Sequence, residues 1–305
     1  MTVTVERAAL NTSLRRRMRM LEKRLGGAPT QPIRRGAGKG ATQGAVLGAV
    51  ALLLDGDLSE AFSYNGDTQF ASASTIKTYV LQATFEAVAA GKLRLDQEIE
   101  MSATDQVGGS GVLTSLSPGR KYTVLDIATL MIVVSDNTAT NLLIEAVGVP
   151  ELNESIQRHG FKNTLALGKL MMNRPKPPTG PSTSQTTPAD LASYFQKLWR
   201  DELLPKELGE IARGIYRRQQ YSYLTRELDF DRYQKEPQFC IASKTGALEG
   251  VRNDAGIFEP LTKSAGRPLI VAIMTRGCPD LRYNPNNLGE KVVSAAGKAL
   301  YLALR

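Results

Sequence analysis

The run IATLMIVV at 127–134 is apolar almost without a break, and it stops at three small polar residues, Ser135-Asp136-Asn137. Such a run fits a buried helix, and Thr123 followed by Asp126 is a capping-box pattern, so the prediction is a helix over 124–134. A further helix is expected at about 138–147, stopped by Gly148 with Pro150 beyond. Ile76, Val80, Ala83 and Ala87 share one helical face, which places another helix over 74–90 with Gly91 past its end. Upstream, 3–25 reads as a helix and GGAPTQPIRRGAGKGATQG (26–44) as a Gly/Pro-rich linker. Residues 45–64 read as a hairpin turning at Asp55-Gly56. The stretch 168–188 has no hydrophobic period and reads as a long loop, a length that usually serves function. Strands resume at FCIASKT (239–245), RNDAGIF (252–258) and PLIVAIMTR (268–276), and an amphipathic helix closes the chain at 288–304.

Sheet strands therefore come from both ends of the chain, with a mostly helical block inserted between them. The fold class expected is α/β, an α+β sandwich: an antiparallel sheet flanked by helices plus an inserted helical domain. The expected division is a basic N-terminal helix and linker (1–43), a discontinuous sheet domain (44–70 and 210–305) and an all-α domain (71–209). A cleft between the last two is the expected place for a site.

With 305 residues, 42% hydrophobic and 22% charged, the chain has apolar mass for a sizeable core and is not of a disordered class. Its net charge of +8 is localised: residues 1–43 hold ten Lys or Arg against Glu6 and Glu22, so the remainder is formally neutral. A basic arm of this kind is usually a solvated helix face, and nucleic acid is not the expected partner. The two cysteines, Cys240 and Cys278, suit neither a disulfide framework nor a metal site, and no metal or cofactor is expected. No apolar run reaches the ~20 residues of a membrane span. AVLGAVALLL (45–54) resembles a signal-peptide core but lies too far into the chain, so no signal peptide is recognised and the default expectation is a cytoplasmic protein.

The candidate chemistry begins at Ser74 and Lys77, three residues apart on the first turn of a helix and so on one face. A serine hydroxyl is a poor nucleophile until a base takes its proton, and a desolvated lysine beside another cation can be that base. The positive end of the helix favours an oxyanion there. A Ser-x-x-Lys alone is expected roughly once by chance in a chain of this size. Ser135-Asp136-Asn137 and Lys244-Thr245-Gly246 are each rarer, and the three in this order are far less accidental.

This set resembles that of the class A β-lactamases and the related penicillin-recognising serine hydrolases, over about residues 44–305. The resemblance implies Ser74 as the acylated nucleophile, Lys77 as its activating partner and Ser135 as the proton donor to the leaving nitrogen. It implies that Asn137 holds Lys77 and a substrate amide, and that Lys244 polarises Ser135 and attracts a substrate carboxylate. Gly246 would let its strand lie close to a substrate, with the backbone N–H groups of Ser74 and Ala247 as the oxyanion hole. Arg252 would reinforce carboxylate binding. The implied partner is a small β-lactam or other acyl substrate.

Plainer readings stand beside these. Ser135 and Asn137 also suit the cap of the following helix, Thr245 also suits strand packing, and Asp136 suits a purely structural role, bonding backbone N–H groups of its loop. His159, the only histidine, suits a surface or capping place, and a Ser-His-Asp triad would have to use it. One departure bears on activity. The loop that in class A enzymes supplies a Glu to activate the deacylating water is present, followed by TTPADLA (186–192), but 166–187 contains no Asp, Glu or His, and Met171 or Met172 stands near the missing Glu. The expected function is a serine hydrolase that forms an acyl-serine with β-lactams and releases it slowly. The alternatives are a D-alanyl-D-alanine-type peptidase or esterase, or a β-lactam sensor that does not turn over.

Overall fold

The computed structural model describes residues 2–26, 44–54, 62–169, 181–228, 235, 237–262 and 266–305, with backbone only for 2–6. The Asp55-Gly56 turn and the Met171 and Met172 positions lie outside these residues.

Helix α1 (Thr2–Leu25) precedes strands β1 (Val46–Leu53), β2 (Phe62–Tyr64) and β3 (Phe70–Ala71). A 3-10 turn (Ala73–Ile76) leads into α2 (Lys77–Ala89), and β4 (Glu98–Met101) and β5 (Arg120–Thr123) pair antiparallel before α3 (Val124–Val133). Then come α4 (Asn137–Val147), α5 (Val149–Arg158), β6 (Gln185–Thr186), α6 (Pro188–Trp199) and α7 (Lys206–Arg217). Strands β7 (Phe239–Leu248), β8 (Val251–Pro260) and β9 (Leu269–Arg276) and helix α8 (Leu288–Leu304) complete the chain. Helix α5 goes beyond the sequence reading.

The main sheet is antiparallel in the order β2-β1-β9-β8-β7, so the N-terminal hairpin and the C-terminal meander meet at β1 and β9. Strand alternation divides its faces. Leu47, Ala49, Ala51 and Leu53 of β1, with Leu269, Val271 and Ile273 of β9, join one core with α1 and α8. Val50, Leu52, Ile270, Ala272 and Met274 face the other way and join the core of the helical block. That second core runs without interruption from the sheet into α2, α3, α4 and α6. Helices α6 and α7, inside or across the expected 71–209 block, pack on sheet strands.

The basic segment is not simply a solvated arm. Leu14, Met18, Leu21 and Leu25, at spacings of three and four, are buried against the sheet and α8. Glu22 turns inward and accepts from the Leu47 amide (3.0 Å) and the Tyr64 hydroxyl (2.6 Å). Burial, then that carboxylate, pushes the Tyr64 phenol up to about 12.

Two helices position the site. In α3 the buried residues Val124, Ile127, Ala128, Met131 and Ile132 recur at i, i+3, i+4, i+7 and i+8, one apolar stripe against the core. Thr123 caps it, its hydroxyl accepting from the Asp126 amide. Helix α2 is buried along most of its length, from Lys77 to Phe85. Burial of this kind stabilises by about 1.5–3 kcal/mol per large apolar side chain, which makes the ends of both helices rigid platforms.

Candidate active site

Ser74 lies in the 3-10 turn at the head of α2, against strand β7. Gly246 is what allows this approach: a β-carbon there would sit 2.9 Å from the Ser72 carbonyl oxygen and 3.0 Å from the Ser74 nitrogen. The glycine brings the strand close to the nucleophile's own turn, bringing Ala247 and Ser74 onto adjoining elements. Ala73, just before the serine, has φ 48°, a left-handed conformation that costs a non-glycine residue roughly 1–2 kcal/mol and is held by the surrounding packing.

Ser135 is in the same region of backbone space, with φ 56°. This conformation turns its carbonyl toward Lys77, whose Nζ donates to it at 2.5 Å and lies 3.0 Å from Ser135 Oγ and 2.8 Å from Asn137 Oδ1. Asn137 also donates through Nδ2 to the Gly108 carbonyl (3.0 Å), which leaves one amide N–H for a substrate. Capping of α4 falls to Asp136, not to Ser135 or Asn137. Asp136 Oδ1 accepts from the Ala139 amide (2.9 Å) while Oδ2 accepts from Val112 (2.6 Å) and Leu113 (2.8 Å). One buried carboxylate thus holds the whole loop, and its neighbours on either side are released to face the lysine. Gly111 is required beside it, since at φ 112° any β-carbon would strike the Asp136 side chain.

Lys244 reaches the same hydroxyl from β7, donating to Ser135 Oγ (3.0 Å) and to the Thr245 carbonyl (2.8 Å). Thr245 is itself buried and contributes this carbonyl to the cluster. Both lysines are 0% exposed, and among the described residues neither forms an ion pair. Burial, then the charge of Lys244, holds Lys77 well below the ordinary lysine value. Burial also lowers Lys244 to about 7, against the opposing influence of Asp254. Asp254 in turn is raised by burial to about 6, although Ser222 Oγ and the Tyr223 and Leu224 amides donate to it. It is a member of the site's electrostatics that no local sequence signal singles out.

The chemistry follows from these states. A neutral Lys77 can donate to the Ser135 carbonyl and to Asn137 while keeping a lone pair for a proton. Its described bonds reach Ser135 and Asn137 and not Ser74 Oγ, but Ser74 is one helical turn away on the same face. That placement is the one a base for Ser74 would need. Ser135 Oγ, between the two lysines, can pass a proton from Lys77 toward a leaving group.

Arg252 does not join this cluster. It is 1% exposed, and its guanidinium donates to the carbonyls of Leu248 (2.7 Å), Val251 (2.8 Å) and Arg282 (2.5 Å), pairs with Glu290 and lies against the Tyr283 ring. These bonds anchor the β7–β8 end to the C-terminal helix, and none of them reaches the lysine cluster. His159 caps the end of α5 and contacts Glu86 of α2, so no Ser-His-Asp triad is assembled.

The sequence profile of the β-lactamase enzyme family matches residues 37–304. Beta-lactamase SME-1 of Serratia marcescens is 25% identical over 241 residues, covering 78% of this chain and 79% of that protein. A solved β-lactamase from Sphaerobacter thermophilus is 33% identical, with TM-score 0.73 and coverage of 85% of this chain and 92% of that one. The structure of PBP-A is 27% identical with TM-score 0.71 over 96% of each chain, and a leucine-to-glutamate mutant of it was solved as an acyl-enzyme complex with penicillin G. On the profile match and the serine–lysine geometry together, the chain belongs to the β-lactamase enzyme family and is a serine hydrolase of the acyl-enzyme type.

Proposed function

We propose that the protein acylates Ser74 with β-lactams and releases the acyl group slowly. The observation that carries this is the contrast between a complete acylating set and the want of a deacylating carboxylate. Lys77, Ser135 and Lys244 form one hydrogen-bonded group beside Ser74. The sequence from 166 to 187 supplies no acid. The carboxylates that flank the region are engaged: Asp136 by three backbone amides, Asp190 by Thr164 Oγ1 and the Asn163 amide, Glu145 by Lys169. General-base assistance to water is worth about 10²–10⁴-fold, so its loss lengthens the acyl-enzyme lifetime by that order. The likeness to PBP-A, of which a leucine-to-glutamate mutant was solved as an acyl-enzyme with penicillin G, supports acylation by β-lactams.

The test is pre-steady-state hydrolysis of a chromogenic β-lactam. A burst of one equivalent followed by a much slower steady rate supports the reading. A linear course at a high rate contradicts it and indicates a competent β-lactamase with another deacylating base. Turnover of a small activated ester or of a D-alanyl-D-alanine peptide faster than any β-lactam would move the assignment to the esterase or peptidase reading.

A further inference from the structure

Six cations lie within ten residues of α1: Arg15, Arg16, Arg17, Arg19, Lys23 and Arg24. All six are exposed, and among the described residues none has an ion-pair partner. The helix's described acid, Glu22, is drawn inward to Leu47 and Tyr64, so it does not neutralise this face. Helical geometry puts Leu14, Met18, Leu21 and Leu25 on the inner side and Arg16, Arg19 and Lys23 directly opposite. Met20, 62% exposed, stands among them.

We propose that this face of α1 docks on an anionic phospholipid bilayer. Charge complementarity supplies the attraction, and the arrangement suits a flat surface: cations on long apolar stems around a protruding thioether side chain that can enter the headgroup boundary. A single-stranded nucleic acid fits less well, because α1 has no aromatic residue to stack on a base. The placement also leaves catalysis free. Helix α1 packs on the sheet face formed by Leu47, Ala49 and Ala51, while Val50, Leu52 and the turn bearing Ser74 belong to the opposite face. A molecule seated on α1 presents its cleft away from the bilayer.

The experiment is co-sedimentation of the full chain with phosphatidylcholine vesicles, with and without about one-third phosphatidylglycerol, where each cation near the surface is worth roughly fivefold in affinity. The expected result is binding to the anionic vesicles alone, lost as salt rises through about 0.5 M. The variant Arg16→Gln/Arg17→Gln/Arg19→Gln/Lys23→Gln should weaken binding by about 100-fold or more, with thermal stability and Ser74 acylation unchanged. Met20→Ala should weaken it a few-fold. Equal binding to both vesicles, no binding at low salt, or an unaffected quadruple variant overturns the proposal. So does tighter binding to a DNA duplex than to anionic vesicles at equal phosphate.

Discussion

The buried cations near β7 and β8 of the same sheet are held in opposite ways. Arg252 shares the Glu290 carboxylate with the exposed Arg226, and its other donors go to backbone carbonyls. Among the described residues, Lys77 and Lys244 have only neutral hydrogen-bond partners: a hydroxyl, an amide oxygen and carbonyls. A buried pair with its counter-charge is settled, and its role is to hold elements together. A buried lysine without one is driven toward its neutral form, which is what a base at neutral pH requires. The difference separates a cation held by its counter-charge from a pair poised for proton transfer more sharply than burial alone.

The largest expected effect breaks the catalytic group. Ser74→Ala should abolish covalent labelling by a β-lactam, and Lys77→Ala should slow acylation by about 10²–10⁴-fold, read as the rate of adduct formation. The next converts the group lacking a carboxylate into one that has it. Met171→Glu or Met172→Glu should speed loss of a bound penicillin-type acyl group by up to about 10²–10⁴-fold if either carboxylate reaches the acyl carbonyl; unchanged decay in both would place the deacylation defect elsewhere.

The structural group should respond in the other currency. Arg252→Ala leaves Glu290 with only the exposed Arg226 and strips the Leu248, Val251 and Arg282 carbonyls of a donor, and should cost about 1–3 kcal/mol in denaturant unfolding, with the acylation rate per folded molecule little changed. If acylation of carboxylate-bearing substrates collapses while stability holds, Arg252 belongs to the binding site after all.

The smallest effect is one of pH. Lys244 is lowered to about 7 by burial, so it carries its charge below that pH and loses it above. Acylation by a β-lactam bearing a carboxylate should therefore fall by up to about tenfold per unit above pH 7, and acylation by a neutral ester should fall less. Parallel profiles for both substrates would show that Lys244 does not read the carboxylate.

What could be read from the chain was what is local. Ser74 and Lys77 are one turn apart and Ser135 and Asn137 flank a helix cap, so residue type and spacing were enough to gather them, while Lys244, expected near a strand end, lies within β7, which runs on to Leu248. The capped apolar run of α3, the amphipathic α8 and the strands β7, β8 and β9 were legible for the same reason. Arg252 was not, because its partner Glu290 is thirty-eight residues away on another element and nothing in VRND announces it. Helix α1 was misjudged by its charge: the count of arginines hid the leucine stripe that fastens it to the sheet. Removing residues 1–25 should consequently lower the unfolding midpoint rather than leave the molecule indifferent, since buried leucines each contribute about 1.5–3 kcal/mol.

The most direct test of the account is intact-protein mass spectrometry of the unmodified chain over time after mixing with a penicillin, with peptide mapping of the adduct. The account predicts one adduct of the whole β-lactam mass, on Ser74, accumulating to near one per molecule and persisting long after free drug is removed. An adduct on another residue, or one that clears as fast as it forms, would contradict it.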